Sequence, residues 1–261
     1  MTRAVGRRVV KTPCCGILLT TENYASINYS ADEYWTDGRA VGSLAPQDGG
    51  LRRCLCGGYF LVRQTKFILT LPDRKRRAPA DWETTEVPGL VPGANSRDVM
   101  MRSFDTRPAA VIDAEEALIP PAALDVEDSD LRDSIESGTL DDDTMLIARR
   151  RYWRHLNDPY RDEYREYRNT HDDGLPDHYR PSAQQRDNMQ KLVKLCEART
   201  SPDWMELAEL YHELEVPATV LQCIARARNR KEEITHGEQV VAKILETLVQ
   251  TNIKGPVRYR V

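Results

Sequence analysis

Two short cysteine clusters, Cys14-Cys15-Gly16 and Cys54-Leu55-Cys56-Gly57, lie about 40 residues apart near the start of a 261-residue chain. A fold that brings them together must close the intervening segment into a loop. Four thiolates delivered by two turns then make a tetrahedral donor set for zinc. A β module of about 70 residues has too small an apolar core to be robust alone, and a metal cross-link would offset that deficit. Glycine directly after each cluster suits turns whose N–H groups hydrogen-bond sulfur and lower its pKa. The expected site is one structural Zn2+ per chain on Cys14, Cys15, Cys54 and Cys56. Free thiols and disulfides remain alternatives, and the lack of a secretion signal counts against the second. One pair is adjacent and the other is C-x-C, whereas ribbons usually use C-x-x-C, so each turn must bend to aim both sulfurs at one ion. Four sulfur ligands leave no open coordination position, which argues against catalytic zinc. Cys196 and Cys223 fall on apolar helical faces and read as small core residues.

The residue pattern divides the chain into three regions and predicts the α+β class. Residues 1–70 carry short apolar runs such as Ile17-Leu18-Leu19 and Tyr59-Phe60-Leu61-Val62, separated by turn signals at Asp37-Gly38 and Asp48-Gly49-Gly50. They predict a small antiparallel, zinc-ribbon-like β domain. Residues 71–126 hold seven of the 15 prolines and read as a Pro-rich linker. Residues 127–261 predict an all-α array of helical hairpins. Apolar stripes recur at Met189, Leu192, Val193 and Cys196, at Trp204, Leu207, Ala208, Tyr211 and Leu214, at Val220, Leu221, Ile224 and Ala225, and at Val241, Ile244, Leu245 and Leu248. Ser201-Pro202-Asp203 marks one helix start, and Thr235 with Glu238 forms a capping box at another. This helical region is expected to fold without the ribbon.

The motifs Thr12-Pro13-Cys14-Cys15-Gly16, Ser26-Ile27-Asn28-Tyr29, Tyr34-Trp35-Thr36-Asp37-Gly38-Arg39 and Arg53-Cys54-Leu55-Cys56-Gly57 resemble a group of uncharacterised bacterial proteins. That group has an N-terminal zinc-ribbon-like domain and a C-terminal helical, tetratricopeptide-like region. Its common form is C-P-x-C-G at both knuckles with W-[ST]-D-G between. Cys15 and Cys56 match the second cysteine of each knuckle. Thr12 and Arg53 occupy the first positions, and Cys14 and Cys54 stand at inner ones. The likeness extends to the segment from Ile147 to Asp158 with Arg161, and to Asn188-Met189-Gln190-Lys191-Leu192. It implies an architecture and no activity.

Other features carry two readings each. Tyr34 and Trp35 are either a packed aromatic pair entering a turn or exposed anchors for a partner. The stretch Arg149-Arg150-Arg151-Tyr152-Trp153-Arg154-His155, with Asn157, Asp158, Arg161, Tyr164 and Arg165, is the densest basic–aromatic run. It reads as an amphipathic helix with Tyr152, Trp153 and Leu156 inward, or as a grip for single-stranded nucleic acid in which Arg149, Arg150 and Arg154 contact phosphates. His171, Asp172, Asp173, Asp177 and His178 form a loop with metal-site composition and no helical spacing to fix the imidazoles.

Charge narrows the function classes. The net charge is −4, and residues 112–145 contain one basic and twelve acidic side chains. This argues against a general polyanion binder. Mean hydropathy is −0.59, and no apolar run approaches the roughly 20 residues of a membrane helix. The basic residues Arg3, Arg7 and Arg8 are not followed by a signal-peptide core, so a cytoplasmic setting without membrane attachment is expected. There is no P-loop, dinucleotide fingerprint, nucleophile elbow or H-E-x-x-H. The expectation is a noncatalytic interaction or adaptor protein with a protein partner. The alternative is a nucleic-acid-associated ribbon protein using Arg149 to Arg165.

Overall fold

The structure, a computed structural model, describes residues 3–26, 31–42, 50–71, 76–77, 104–105, 116–171, 179–230 and 234–259. The strands are β1 (Arg3–Lys11), β2 (Leu18–Ser26), β3 (Glu33–Trp35), β4 (Ala40–Val41), β5 (Leu51–Arg53), β6 (Tyr59–Leu61), β7 (Lys66–Leu71), β8 (Arg76–Arg77), β9 (Phe104–Asp105), β10 (Leu124–Asp125) and β11 (Arg258–Tyr259). The helices are α1 (Leu131–Glu136), α2 (Asp142–Leu156), α3 (Asp158–Thr170), α4 (Ala183–Glu197), α5 (Trp204–Glu213), α6 (Pro217–Arg228) and α7 (His236–Thr251). Small, mostly antiparallel sheets therefore precede a run of helices, and the class is α+β. Most of the Pro-rich segment 71–126, and residues 172–178 of the histidine–carboxylate loop, lie outside the described residues.

Two compact units interleave along the chain. One comprises Met1–Asn28, Cys54–Gly57 and Val62–Leu124; the other comprises Tyr29–Arg53, Gly58–Leu61 and Asp125–Val261. In the first, β1 pairs antiparallel with both β2 and β7. Val9 and Val10 are both buried, although consecutive strand residues normally face opposite ways. The β1–β7 register shifts between them, and such a bulge re-aims one side chain. Val10 stands opposite the buried Leu19 of β2. On β7, Phe67, Ile68 and Leu69 stay 41–56% exposed.

The second unit holds the helices and two small sheets. The β5–β6 hairpin places Leu51 opposite Leu61, and both pack with Val126, Leu131, Ile147, Ala148 and Tyr152. The largest core gathers Trp153 of α2 with the apolar faces of α4, α5, α6 and α7. Local sequence sets the helix starts. Asp141 accepts from Thr144 N–H at 2.8 Å, and Ser182 and Thr235 each form a full capping box. The α5 start sits two residues later than Ser201-Pro202-Asp203 implies. Asp203 is the N-cap, bonded by the N–H groups of Met205 and Glu206, and Pro202 precedes it. On α6 the buried face is Val220, Cys223, Ile224 and Ala227, while Leu221 is 45% exposed. The small side chains of Cys223 and Ala227 allow close packing on α5, which outweighs the apolar content of Leu221 and Ala225.

Residues 31–42 and 50–53, which the sequence pattern grouped with the ribbon, belong to the helical unit. Trp35 is fully buried beside Tyr160, Tyr164 and Tyr179, with the Tyr164 ring edge-on at 5.0 Å. The C-terminal strand β11 pairs with β3, Arg258 opposite Trp35 and Tyr259 opposite Tyr34, and Thr36 N–H donates to Val257 O at 3.0 Å across 221 residues.

Candidate metal centre

The first cysteine turn connects β1 to β2. Thr12 N–H donates to Ile17 O at 3.0 Å, and Gly16 N–H returns to Thr12 O at 3.1 Å. Gly16 has φ +74, a left-handed conformation that side-chain-bearing residues resist, and a Cβ there would stand 3.2 Å from Lys11 Cε. In the second turn Gly57 N–H donates to Cys54 O at 2.9 Å. Both turns belong to the same compact unit.

Across them, Cys15 Sγ lies 3.5 Å from Cys54 Sγ, Cys14 Sγ lies 3.6 Å from Cys56 Sγ, and Cys14 and Cys15 are 4.0 Å apart. All four sulfurs fall within 4.8 Å of one another. A tetrahedral ion with bonds of about 2.3 Å to sulfur requires sulfur–sulfur edges of about 3.8 Å. The measured edges bracket that value, so the donor set fits a tetrathiolate metal. All four cysteines are free thiols, and only Cys54 is buried.

Hydrogen bonds support the ligands. Thr12 Oγ1 lies 3.5 Å from Cys15 Sγ and 3.9 Å from Cys54 Sγ. The Thr12 hydroxyl, followed by the Ile17 N–H, lowers the Cys15 thiol to about 6. Burial, with the neighbouring sulfurs, pushes Cys14 up to about 12 and also raises Cys54. Four thiols this close cannot all ionise unaided, and a divalent cation would supply the charge that lets them.

A second group, Asp128, His155 and Asp158, is close enough for an ion but is already neutralised. Arg39 Nη2 lies 3.8 Å from Asp128 and 3.7 Å from Asp158. Arg151 reaches Asp128 at 3.0 Å, and Arg161 reaches Asp158 at 2.6 Å. Three guanidiniums around two carboxylates leave little attraction for a cation. His171 is exposed and stacks on Tyr167.

The helical unit contains a buried polar network that spacing did not reveal. Asp37 accepts from Arg161, from Asn157 Nδ2 at 3.1 Å and from Arg39 N–H at 3.0 Å. Glu213 accepts from Trp153 Nε1 at 3.0 Å, Asn157 Nδ2 at 3.1 Å and the Tyr179 hydroxyl. Glu209 accepts from the Thr36 hydroxyl at 2.7 Å, and its Oε2 has no hydrogen-bond partner among the described residues. Glu209, Glu213 and Arg161 are all 0% exposed. Burial, then the neighbouring Glu213, holds Glu209 well above the carboxylate range. Burial, then Asp37, raises Glu213 to about 7. The sequence signal for this network was Asp37 in its turn and Asn157 and Arg161 in the basic–aromatic run; Glu209 and Glu213 gave none.

The basic–aromatic run is consumed inside the same unit. Arg149 donates to Asn188 Oδ1 at 3.1 Å, Arg150 forms a bidentate pair with Glu206, and Arg154 donates to Asp37 O at 2.9 Å. Gly38, at φ +77, makes room for Arg154, because a Cβ there would come within 2.5 Å of its guanidinium. Arg165 pairs with Glu33 at 2.8 Å. Trp153 is 1% exposed, Tyr152 is buried and Leu156 is partly buried. The guanidiniums of Arg161 and Arg165 lie 5.6 and 5.7 Å from the ring centre of Trp35, which is fully buried and so a core residue and not a surface anchor. Tyr34 is partly buried, 6.2 Å from the ring of Tyr259.

Comparison with models of known protein families, with curated proteins and with solved structures finds no match to this chain.

Proposed function

We propose that this protein is a noncatalytic adaptor whose β module is held by one structural zinc ion on Cys14, Cys15, Cys54 and Cys56. The observation that carries the reading is the sulfur spacing of 3.5–4.0 Å between two turns remote in sequence. A tetrathiolate zinc is coordinatively saturated, so it cross-links and does not activate water. The knuckle motifs support placing the chain with bacterial proteins of ribbon-plus-helix architecture, and reduced thiols suit the cytoplasm. Among the described residues no helix is long and apolar enough to cross a membrane. The exposed Phe67, Ile68 and Leu69 of β7 are the kind of surface that a protein partner covers.

The nucleic-acid reading loses its platform, since Trp153 is core and Arg149, Arg150 and Arg154 have internal acceptors. Elemental analysis of untagged protein tests the proposal. About one zinc per chain is expected, lost on Cys54→Ser; well under half an equivalent with all thiols free rejects it. Binding to generic oligonucleotides that falls steeply with salt would revive the alternative.

A further inference from the structure

The sulfurs of the metal centre do not form a regular tetrahedron. Two contacts cross between the turns, Cys15 with Cys54 at 3.5 Å and Cys14 with Cys56 at 3.6 Å, inside a set whose four sulfurs all lie within 4.8 Å of one another. The adjacent pair Cys14–Cys15 is wider, at 4.0 Å. Adjacent residues also hold their Cα atoms about 3.8 Å apart, below the range of about 4.4–6.8 Å that an unstrained disulfide spans. Cys14, Cys15 and Cys56 are exposed, and Leu55 at the tip of the second turn is 52% exposed, so small solutes reach one sulfur of the Cys15–Cys54 contact and both of the Cys14–Cys56 contact, while Cys54 is buried. Cys196 and Cys223 are 1% and 3% exposed and out of reach.

We propose that the centre is an oxidant-responsive modification site. A peroxide-class oxidant converts its four thiolates into the cross-turn disulfides Cys15–Cys54 and Cys14–Cys56 and expels the zinc. The proposal rests on the zinc reading above. In each pair one thiolate attacks a peroxide oxygen, forming an S–O bond and breaking O–O with loss of hydroxide. The partner thiolate then attacks that sulfur, forming S–S and displacing a second hydroxide. Two protons from solvent turn the hydroxides into water. Each disulfide gives two electrons to one peroxide, so two peroxides oxidise the centre, and the ion leaves as hydrated Zn2+. The new bonds join the same two turns that the metal joined, across 39 and 42 residues. A covalent staple replaces the ionic one, and the module stays closed while its charge and metal content change.

The experiment treats the reduced full-length protein with hydrogen peroxide and follows zinc with a chromogenic chelator and disulfides by non-reducing peptide mapping. One zinc should appear for every two peroxides consumed. The map should show Cys15–Cys54 and Cys14–Cys56, with Cys196 and Cys223 unmodified, and dithiothreitol with added zinc should restore the starting state. Cys56→Ser should leave Cys15–Cys54 as the only disulfide. Retention of zinc and thiols under excess peroxide, a Cys14–Cys15 link, or earlier oxidation of Cys196 or Cys223 each overturns the proposal. If the reduced protein carries no zinc, the zinc reading fails by itself, and mapping of the metal-free protein still decides the pairing.

Discussion

Replacing Arg161 with methionine removes the guanidinium that is wholly enclosed with Asp37, while keeping most of the side-chain volume. The pair is 0% exposed on both sides, and Arg161 also donates to Arg154 O at 2.7 Å and to Asp158 at 2.6 Å. In the variant Asp37 keeps its bonds from Asn157 and from Arg39 N–H but faces Glu209 and Glu213 without its directly paired guanidinium. Breaking a buried pair from one side costs about 3–5 kcal/mol. For a unit of this size that corresponds to a fall in Tm of roughly 6–20 °C. Asp37→Asn in the same background removes the stranded charge, so the double variant should recover about half of the loss or more. Thermal and urea unfolding followed by far-UV circular dichroism on the wild type, both singles and the double completes the cycle. A loss below about 1 kcal/mol for the single variant refutes the reasoning. So does a double variant whose loss equals the sum of the two singles.

The remaining expectations concern the same unit. Glu209 and Glu213 hold protons more tightly when folded than when unfolded, so their contribution is complete below the ordinary value of 4.5. It is lost as pH rises through the folded values, about 7 for Glu213 and well above the ordinary 4.5 for Glu209. His212, lowered to about 4 by burial, opposes this between its folded value and 6.5, but it is one group against two. Stability should therefore fall between about pH 5 and pH 7, and Glu209→Gln should flatten the profile; a midpoint that rises over that range contradicts the assignment. Trp153→Phe keeps most of the buried ring but removes the donor to Glu213, and should cost about 1.5–3 kcal/mol in urea titration. Trp153→Ala should cost about 3–5 kcal/mol, whereas a solvent-facing stacking residue would leave the melt unchanged. A fragment beginning at residue 127 lacks Thr36 and Asp37, so it should lose the sharp unfolding transition; cooperative melting near the full-length midpoint would show that these partners are dispensable.

Local patterning accounts for much of this protein. The capping box at Thr235 and the apolar stripes place helices, because hydrogen bonds three residues apart and burial at helical spacing are visible within a short window; the equivalent box at Ser182 was recognised only in the structure. Cysteines beside glycines mark two turns, and the tertiary structure alone brings their sulfurs together, since no local rule closes a 39-residue gap. Periodicity also misled on α5. The stripe Trp204, Leu207, Ala208, Tyr211 and Leu214 implies one buried face, which leaves Glu209 and Glu213 in water. Instead the opposite face is covered as well, by Thr36, Asn157 and Tyr179, whose hydrogen bonds satisfy the two carboxyl groups. Amphipathic spacing reports where apolar surface must be hidden, and it is silent about polar surface hidden by partners far along the chain. The same limit hid the fate of Trp35 and of the arginines of α2. Their residue types suit a binding surface, and only packing against β3, α3 and α5 turns them into internal structure.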